Sequence, residues 1–209
     1  MLIGNGEDNR MDAITRLIAK ITPGRRFVLG IDGLSRSGKT TFVSELSQKI
    51  HEKDLPCHIF HLDDHIVERN RRYETGNEEW YEYYQLQWNV DWLSENLFDK
   101  LQGDEGLKLP FYDEYTDKVA IEEVNLPKEG LILIEGVFLQ RQEWRKFFDY
   151  VIYLDCPREV RFKRESSGTQ MKKEKFRIRY WPARDHYLDL VNPQNIADIV
   201  IGHNINCRF

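Results

Sequence analysis

The chain has 209 residues and carries 30 basic against 35 acidic side chains, a formal charge of −5. That balance argues against nucleic acid as the main partner, because phosphate-backbone binding needs a basic surface. Hydrophobic residues make up 41%, enough for a sizeable core, yet no apolar run approaches the roughly 20 residues that a membrane helix needs.

The length suits a single α/β domain over 1–209, with insertions, better than two domains. Met1 to Asp8 lack the basic start and long apolar stretch of a secretory signal. Cys57, Cys156 and Cys207 are too scattered for a disulfide framework or a metal knuckle and read as small buried hydrophobes. A cytoplasmic protein without membrane contact is expected, with homo-oligomerisation left open.

Met11, Ile14, Leu17, Ile18 and Ile21 recur at helical spacing and predict an amphipathic helix over 9–21, ended by Thr22-Pro23-Gly24. Phe27 to Ile31 reads as a buried strand. It runs into Gly33-Leu34-Ser35-Arg36-Ser37-Gly38-Lys39-Thr40, a full match to the phosphate-binding pattern G-x-x-x-x-G-K-[ST]. Phe42, Val43, Leu46 and Ile50 then predict a helix. The order has a physical reason. Glycines let successive backbone N–H groups curl around a polyphosphate, and the helix N-terminus adds partial positive charge. Lys39 would reach the outer phosphates and the Thr40 hydroxyl would ligate Mg²⁺. The expected cofactors are ATP and Mg, with Gly33, Ser35, Ser37, Gly38, Lys39, Thr40 and Thr41 on the nucleotide.

Pro56 to Leu62 reads as a second strand, ending at Asp63-Asp64-His65. Ligands of open parallel sheets sit beyond the carboxyl ends of strands, so these carboxylates should emerge beside the phosphates. A kinase needs one there to take the proton of the attacking hydroxyl. Asp63 is the expected base; strand register leaves open whether Asp64 points inward instead. Residues 66–87 are charged and aromatic and read as the start of an insertion over about 66–125, its aromatics serving mainly as packing. Val90, Leu93, Leu97, Phe98 and Leu101 predict a helix. Lys108 to Val124 predicts two short strands joined by a loop, a small cover over the pocket.

Gly130 to Ile134 is an uninterrupted apolar strand ending at Glu135-Gly136, where a carboxylate can hold Mg²⁺. The expected metal residues are Thr40, Glu135 and Asp63. Trp144 to Phe148 suggests a helix and Tyr150 to Leu154 a fourth strand. The basic segment over about 158–185, with Gly168 at a Ser/Gly hinge, reads as a helical lid closing over ATP, its Lys172-Lys173-Glu174-Lys175 run a solvated face. Arg161 and Arg164 are its expected catalytic members, with Lys39. Ala197 to Ile201 is a fifth strand, followed by Gly202-His203-Asn204 as a border for the adenine. Five strands with intervening helices predict a parallel, doubly wound sheet of P-loop kinase type.

Taken in order, the phosphate loop, strand-Asp63, Pro110-Phe111-Tyr112-Asp113, strand-Glu135-Gly136 and Arg161-x-x-Arg164 resemble the uridine kinase and nicotinamide riboside kinase branch of the P-loop kinases. The likeness covers about residues 25–202. It implies an ATP- and Mg-dependent phosphotransferase acting on a small-molecule hydroxyl, above all the 5′-hydroxyl of a nucleoside. The alternatives are a non-nucleoside alcohol, pantothenate-like or a sugar phosphate, and a regulatory nucleotide-binding protein without turnover. The resemblance also implies that Asp63, Asn89 and Tyr112 face the substrate, Asn89 standing where the family commonly has a ribose-binding aspartate; Asp64, beside Asp63, is expected on the substrate as well. Thr116-Asp117-Lys118 replaces the family's His-Ser-Arg. A GTPase-type switch is disfavoured, because neither Asn-Lys-x-Asp nor an Asp-x-x-Gly after the third strand is present.

Overall fold

The computed structural model describes residues 14–202. Ile14–Ile18 are helical, the described part of the helix expected over 9–21. Cys207 and the His203-Asn204 loop lie outside the described residues. In chain order the elements begin with β1 (Arg26–Asp32), α1 (Lys39–His51), β2 (Cys57–His61), α2 (Arg69–Arg72), α3 (Glu79–Gln85) and α4 (Val90–Asn96). β3 (Gly106–Asp113), β4 (Lys118–Asn125), β5 (Gly130–Gly136) and β6 (Tyr150–Asp155) follow. The last are α5 (Arg158–Lys163), α6 (Ser167–Gln170), α7 (Lys173–Lys175), α8 (Trp181–Val191), α9 (Pro193–Ile196) and β7 (Ile199–Gly202).

Five strands form a parallel sheet in the order β2-β5-β1-β6-β7, the expected α/β architecture. Successive strand residues face opposite sides. Val28, Ile132, Ile134 and Val151 therefore enter one core, while Phe27, Leu29, Leu131, Leu133 and Ile152 enter the other. Both faces are covered, which is why these strands read as unbroken apolar runs. Helix α1 packs Phe42, Val43, Leu46 and Ile50 on the second core.

The opposite face is roofed largely by residues 66–125. Tyr83, Tyr84 and Trp88 meet the Phe138 ring edge-on at 5.5, 5.1 and 6.3 Å, the favoured aromatic geometry. Val90 and Leu93 of α4 add to the same core. Strands β3 and β4 pair antiparallel from Gly106–Asn125 to Asp113–Lys118. The helical half of this segment is thus a core layer, and the hairpin is the part that projects.

Two local expectations change. Trp144 to Phe148 forms only a 3₁₀ turn, Arg145–Phe147. The Asp149 N–H is held by the Val28 carbonyl at 2.9 Å, so the chain must already be extended to enter β6. Gly168 lies inside α6, capped by the Ser166 hydroxyl on the Thr169 N–H at 3.2 Å, and is not a hinge between helices.

A π-helical turn, Phe176–Tyr180, runs into α8 and carries the fully buried Arg179. Its Nη1 donates to Glu82 Oε2 at 2.8 Å and its Nη2 to the Arg72 carbonyl at 2.9 Å, with the Tyr73 ring 3.9 Å away. Glu82 Oε1 in turn accepts from the Thr75 N–H and hydroxyl at 2.8 and 2.9 Å. One arginine therefore ties the basic segment to α2 and α3. Glu82→Ala would leave that guanidinium buried and unpaired, an expected loss of about 3 kcal/mol of folding stability. Urea denaturation reads it directly, and an unchanged midpoint would mean that the pair does not hold these layers together.

Candidate active site

The carboxyl ends of β1, β2 and β5 open into a cavity of about 1,370 Å³. The phosphate loop forms its floor. Gly38 is the N-cap of α1 with φ 102°, a left-handed conformation that a side chain would strain. At Gly33 a methyl group would lie 2.6 Å from Ser37 Oγ and 2.9 Å from the Leu154 carbonyl oxygen. The first glycine is therefore required by close approach and the second by backbone conformation. Lys39 Nζ donates to the Gly33 carbonyl at 2.9 Å, folding the lysine across its own loop.

Asp32, at the end of β1, is fully buried. Its carboxylate accepts from the Gly33 N–H at 2.8 Å, Gln140 Nε2 at 3.0 Å and the Tyr187 hydroxyl at 2.5 Å. Burial pushes its pKa up, and these hydrogen bonds pull against the shift. Asp63 and Asp64 lie on a 3₁₀ turn, Leu62–His65, directly after β2, and both line the cavity. Asp63 is exposed to the cavity, with protein atoms around it restricting its solvation. That restriction raises its pKa, Lys39 opposes the rise, and Glu135 and Asp64 add to it. Burial conversely lowers the Lys39 pKa against the attraction of Glu135, Asp63 and Asp32. A raised carboxylate opposite the phosphate lysine suits a proton acceptor. The paired register of β2 and β5 sets His61 beside Glu135, and His61 Nδ1 meets Glu135 Oε1 at 2.9 Å. That hydrogen bond raises the His61 pKa and fixes the carboxylate beside the loop.

Thr40, Asp63 and Glu135 present oxygen donors to one cavity. Among the described residues no group of three or more His, Cys, Asp or Glu side chains is placed to hold a metal. A partial oxygen set fits Mg²⁺, which takes one or two carboxylates plus substrate phosphates and water.

Of the residues expected on ATP, Ser35, Gly38, Lys39, Thr40 and Thr41 line the cavity, while Gly33 and Ser37 shape the loop beneath it. Tyr112 lines it too, its hydroxyl donating to Asp117 at 3.0 Å and accepting from Arg72 at 3.1 Å. Asp117, in the stretch that departs from the family pattern, is therefore a brace for Tyr112. Asn89 does not line the cavity. Its side chain caps α4, accepting from the Trp92 N–H at 3.3 Å. Gln87, two residues earlier, lines the cavity with a buried Oε1 that has no partner. Arg161 does not reach the cavity either. It sits on the inner side of α5, where Nε donates to the Cys156 carbonyl at 2.9 Å. Arg164, at the helix end, does reach it and donates to the Arg36 carbonyl at 2.8 Å. Tyr83 and Arg184 are cavity residues that sequence patterns did not single out. Tyr83 sits in an aromatic run with no periodicity to mark it, and Arg184 is one of many basic residues.

A phosphate loop between β1 and α1, at the carboxyl edge of a sheet ordered β2-β5-β1-β6-β7, defines a P-loop kinase. Comparison with known proteins agrees. A family model described as an AAA domain matches residues 29–182. A solved structure described as a possible uridine kinase from Bacillus stearothermophilus is 49% identical, with a TM-score of 0.82, covering 93% of this chain and 98% of that one. The uridine kinase of Borrelia duttonii is 28% identical over 192 residues, 85% of this chain and 88% of that protein. A D-glycerate 3-kinase from Cryptococcus neoformans, 14% identical with a TM-score of 0.58 over 92% of this chain and 90% of that one, shares the fold. The chain belongs to this P-loop family and is a small-molecule kinase of the uridine kinase-like type. Among the described residues no helix is long and apolar enough to cross a membrane.

Lys39→Ala is expected to weaken both nucleotide binding and turnover, measured by calorimetric titration with ATP and by product formation. Unchanged ATP affinity would contradict the reading of the loop.

Proposed function

We propose that the protein transfers the γ-phosphoryl group of ATP to the 5′-hydroxyl of a nucleoside in the cytoplasm, as one domain whose hairpin and basic segment border the acceptor and nucleotide sides. The observation that carries this reading is Asp63, which faces the same cavity as Lys39 and the phosphate loop. Asp63 takes the proton of the acceptor hydroxyl as its oxygen attacks the γ-phosphorus in line, and the bond to the departing ADP oxygen breaks. Lys39 and the loop N–H groups hold the phosphates. Thr40 and Glu135, with Asp63 nearby, would hold Mg²⁺, which neutralises phosphate charge when bound.

On the acceptor side Tyr83, Tyr112 and Gln87 supply two aromatic rings and one amide, whose oxygen is buried without a partner. That set suits a flat base and a hydroxylated sugar. The relatives named uridine kinase favour the same substrate class.

A product-detected assay with ATP and Mg²⁺ over nucleosides, nicotinamide riboside, pantothenate and simple sugars tests it. A phosphorylated nucleoside is expected, lost on chelation of the metal and lost in Asp63→Asn, which should keep ATP affinity within a few-fold. A product from a non-nucleoside alcohol alone, or normal turnover by Asp63→Asn, would overturn the assignment. Gln87→Leu removes one hydrogen bond to the acceptor and should raise its KM about tenfold with little change for ATP. An unaltered acceptor KM would take Gln87 out of the site.

A further inference from the structure

The interior is rich in arginine. Arg26, Arg72, Arg141, Arg161 and Arg179 are all buried, and each donates to a backbone carbonyl. Arg184 is the exception. It is 5% exposed, its Nε–H is buried without an acceptor, and it makes neither a hydrogen bond nor an ion pair among the described residues. Its ring neighbour is Tyr180, 5.8 Å from the guanidinium. The adjacent acid, Asp185, pairs with Arg158 instead. A nearly buried guanidinium whose Nε–H has no acceptor carries a desolvation cost that an anion in the cavity would offset.

What Arg184 does face is the cavity, together with Lys39 and Arg164. Its charge also bears on Arg161, whose pKa burial and Arg184 together push down to about 10. Three cations, Lys39, Arg164 and Arg184, thus border the cavity together with the carboxylates Asp63 and Glu135. Arg184 is also held still. One turn further along α8, Tyr187 donates its hydroxyl to Asp32, the same carboxylate that accepts the Gly33 N–H. The helix bearing the arginine and the root of the phosphate loop thus share one anchor. Arg164, by contrast, stands at the end of a short helix and already donates to Arg36.

We propose that Arg184 is a fixed catalytic arginine that binds the oxyanions of the phosphoryl group in transit. It exchanges neither proton nor electron. As the acceptor oxygen–phosphorus bond forms, the bond to ADP breaks and the acceptor proton passes to Asp63, charge spreads over the equatorial oxygens, and Arg184 meets it. A preorganised donor at developing charge acts without reorganising during the reaction. The inference rests on the kinase reading above, and its test separates the two.

Affinities for ADP, and for ADP with aluminium fluoride, are measured by titration calorimetry in the presence of Mg²⁺ and uridine, on the wild type, Arg184→Gln and Arg184→Lys. The wild type should prefer the fluoride complex. Arg184→Gln should lose that preference by about 100-fold while its affinity for ADP alone stays within a few-fold, with Arg184→Lys recovering part of it. Because the guanidinium has no protein partner, Arg184→Gln should melt at or above the wild-type temperature. A fluoride preference undiminished in both variants overturns the proposal and leaves the kinase reading intact. A defect confined to acceptor KM also overturns it, making Arg184 a contact for an anionic acceptor. A lower melting temperature with lost ADP affinity would make the residue structural. A wild type with no fluoride preference and no phosphorylated product fails both readings at once.

Discussion

The buried carboxylate of Asp32 is the constraint on which the site depends. It ends the central strand, so its position is set by β5 on one side and β6 on the other. From there it holds the Gly33 N–H at the start of the phosphate loop, the Gln140 amide beyond β5 and the Tyr187 hydroxyl of α8. Gln140 is fixed again by the Pro193 carbonyl at 3.1 Å, and its N–H donates to the Tyr187 hydroxyl at 3.1 Å. A carboxyl buried this deeply resists ionisation, and its donors offset part of that resistance. The arrangement gives the loop, the segment after β5 and the basic-segment helix a common origin. Parts that must meet around a polyphosphate are thereby held in register by one shared carboxylate and by the Gln140–Tyr187 hydrogen bond.

The buried arginines divide by the same logic. Arg26 collects the Pro127, Leu101 and Asp104 carbonyls and closes the far end of the sheet. Arg141 donates to the Tyr84 carbonyl, with its guanidinium 4.6 Å from the Tyr84 ring and 4.9 Å from the Trp144 ring. Arg179 gathers α2 and α3. In each case a planar fork of donors joins chain segments that have no sheet partner, a task for which a lysine point charge is poorly shaped. These residues explain how a long, charged and aromatic insertion becomes one wall of the core.

Much of this was legible in the sequence, for identifiable reasons. The inner strands β1, β5 and β6 announce themselves because each is buried on both faces, and the phosphate loop because four fixed positions must coincide. Asp63, Asp64 and Glu135 could be placed because the ends of parallel strands have a defined location. Arg161 and Asn89 were harder. Arg161 and Arg164 are equivalent by helical spacing, and only the early end of α5 turns one inward and the other toward the loop. Asn89 offers the right chemistry for a hydroxyl, but an asparagine just before a helix has a competing use as its cap, and here the backbone takes it. Gln87, Tyr83 and Arg184 carry no local signature. Their relevance comes from long-range packing of α3 and α8 against the sheet, which no periodicity within either helix encodes.

The site itself is electrostatically unfinished. Crowding lowers the Lys39 pKa and raises that of Asp63, so each charge is disfavoured by the walls and favoured by the other. Arg184 adds a cation that makes no ion pair among the described residues, and Glu135 is steadied by a histidine whose own affinity for protons rises in consequence. Folding alone would favour neutralising or pairing these groups, as it does at Arg179 and Glu82. Lys39, Arg164 and Arg184 around one cavity give it a charge that complements a polyphosphate, and Asp63 and Glu135 give it oxygens of the kind a divalent cation takes. Groups that cost folding energy at this cavity are those whose charge a phosphorylated ligand offsets, so the stability given up by the fold is placed where binding can recover it.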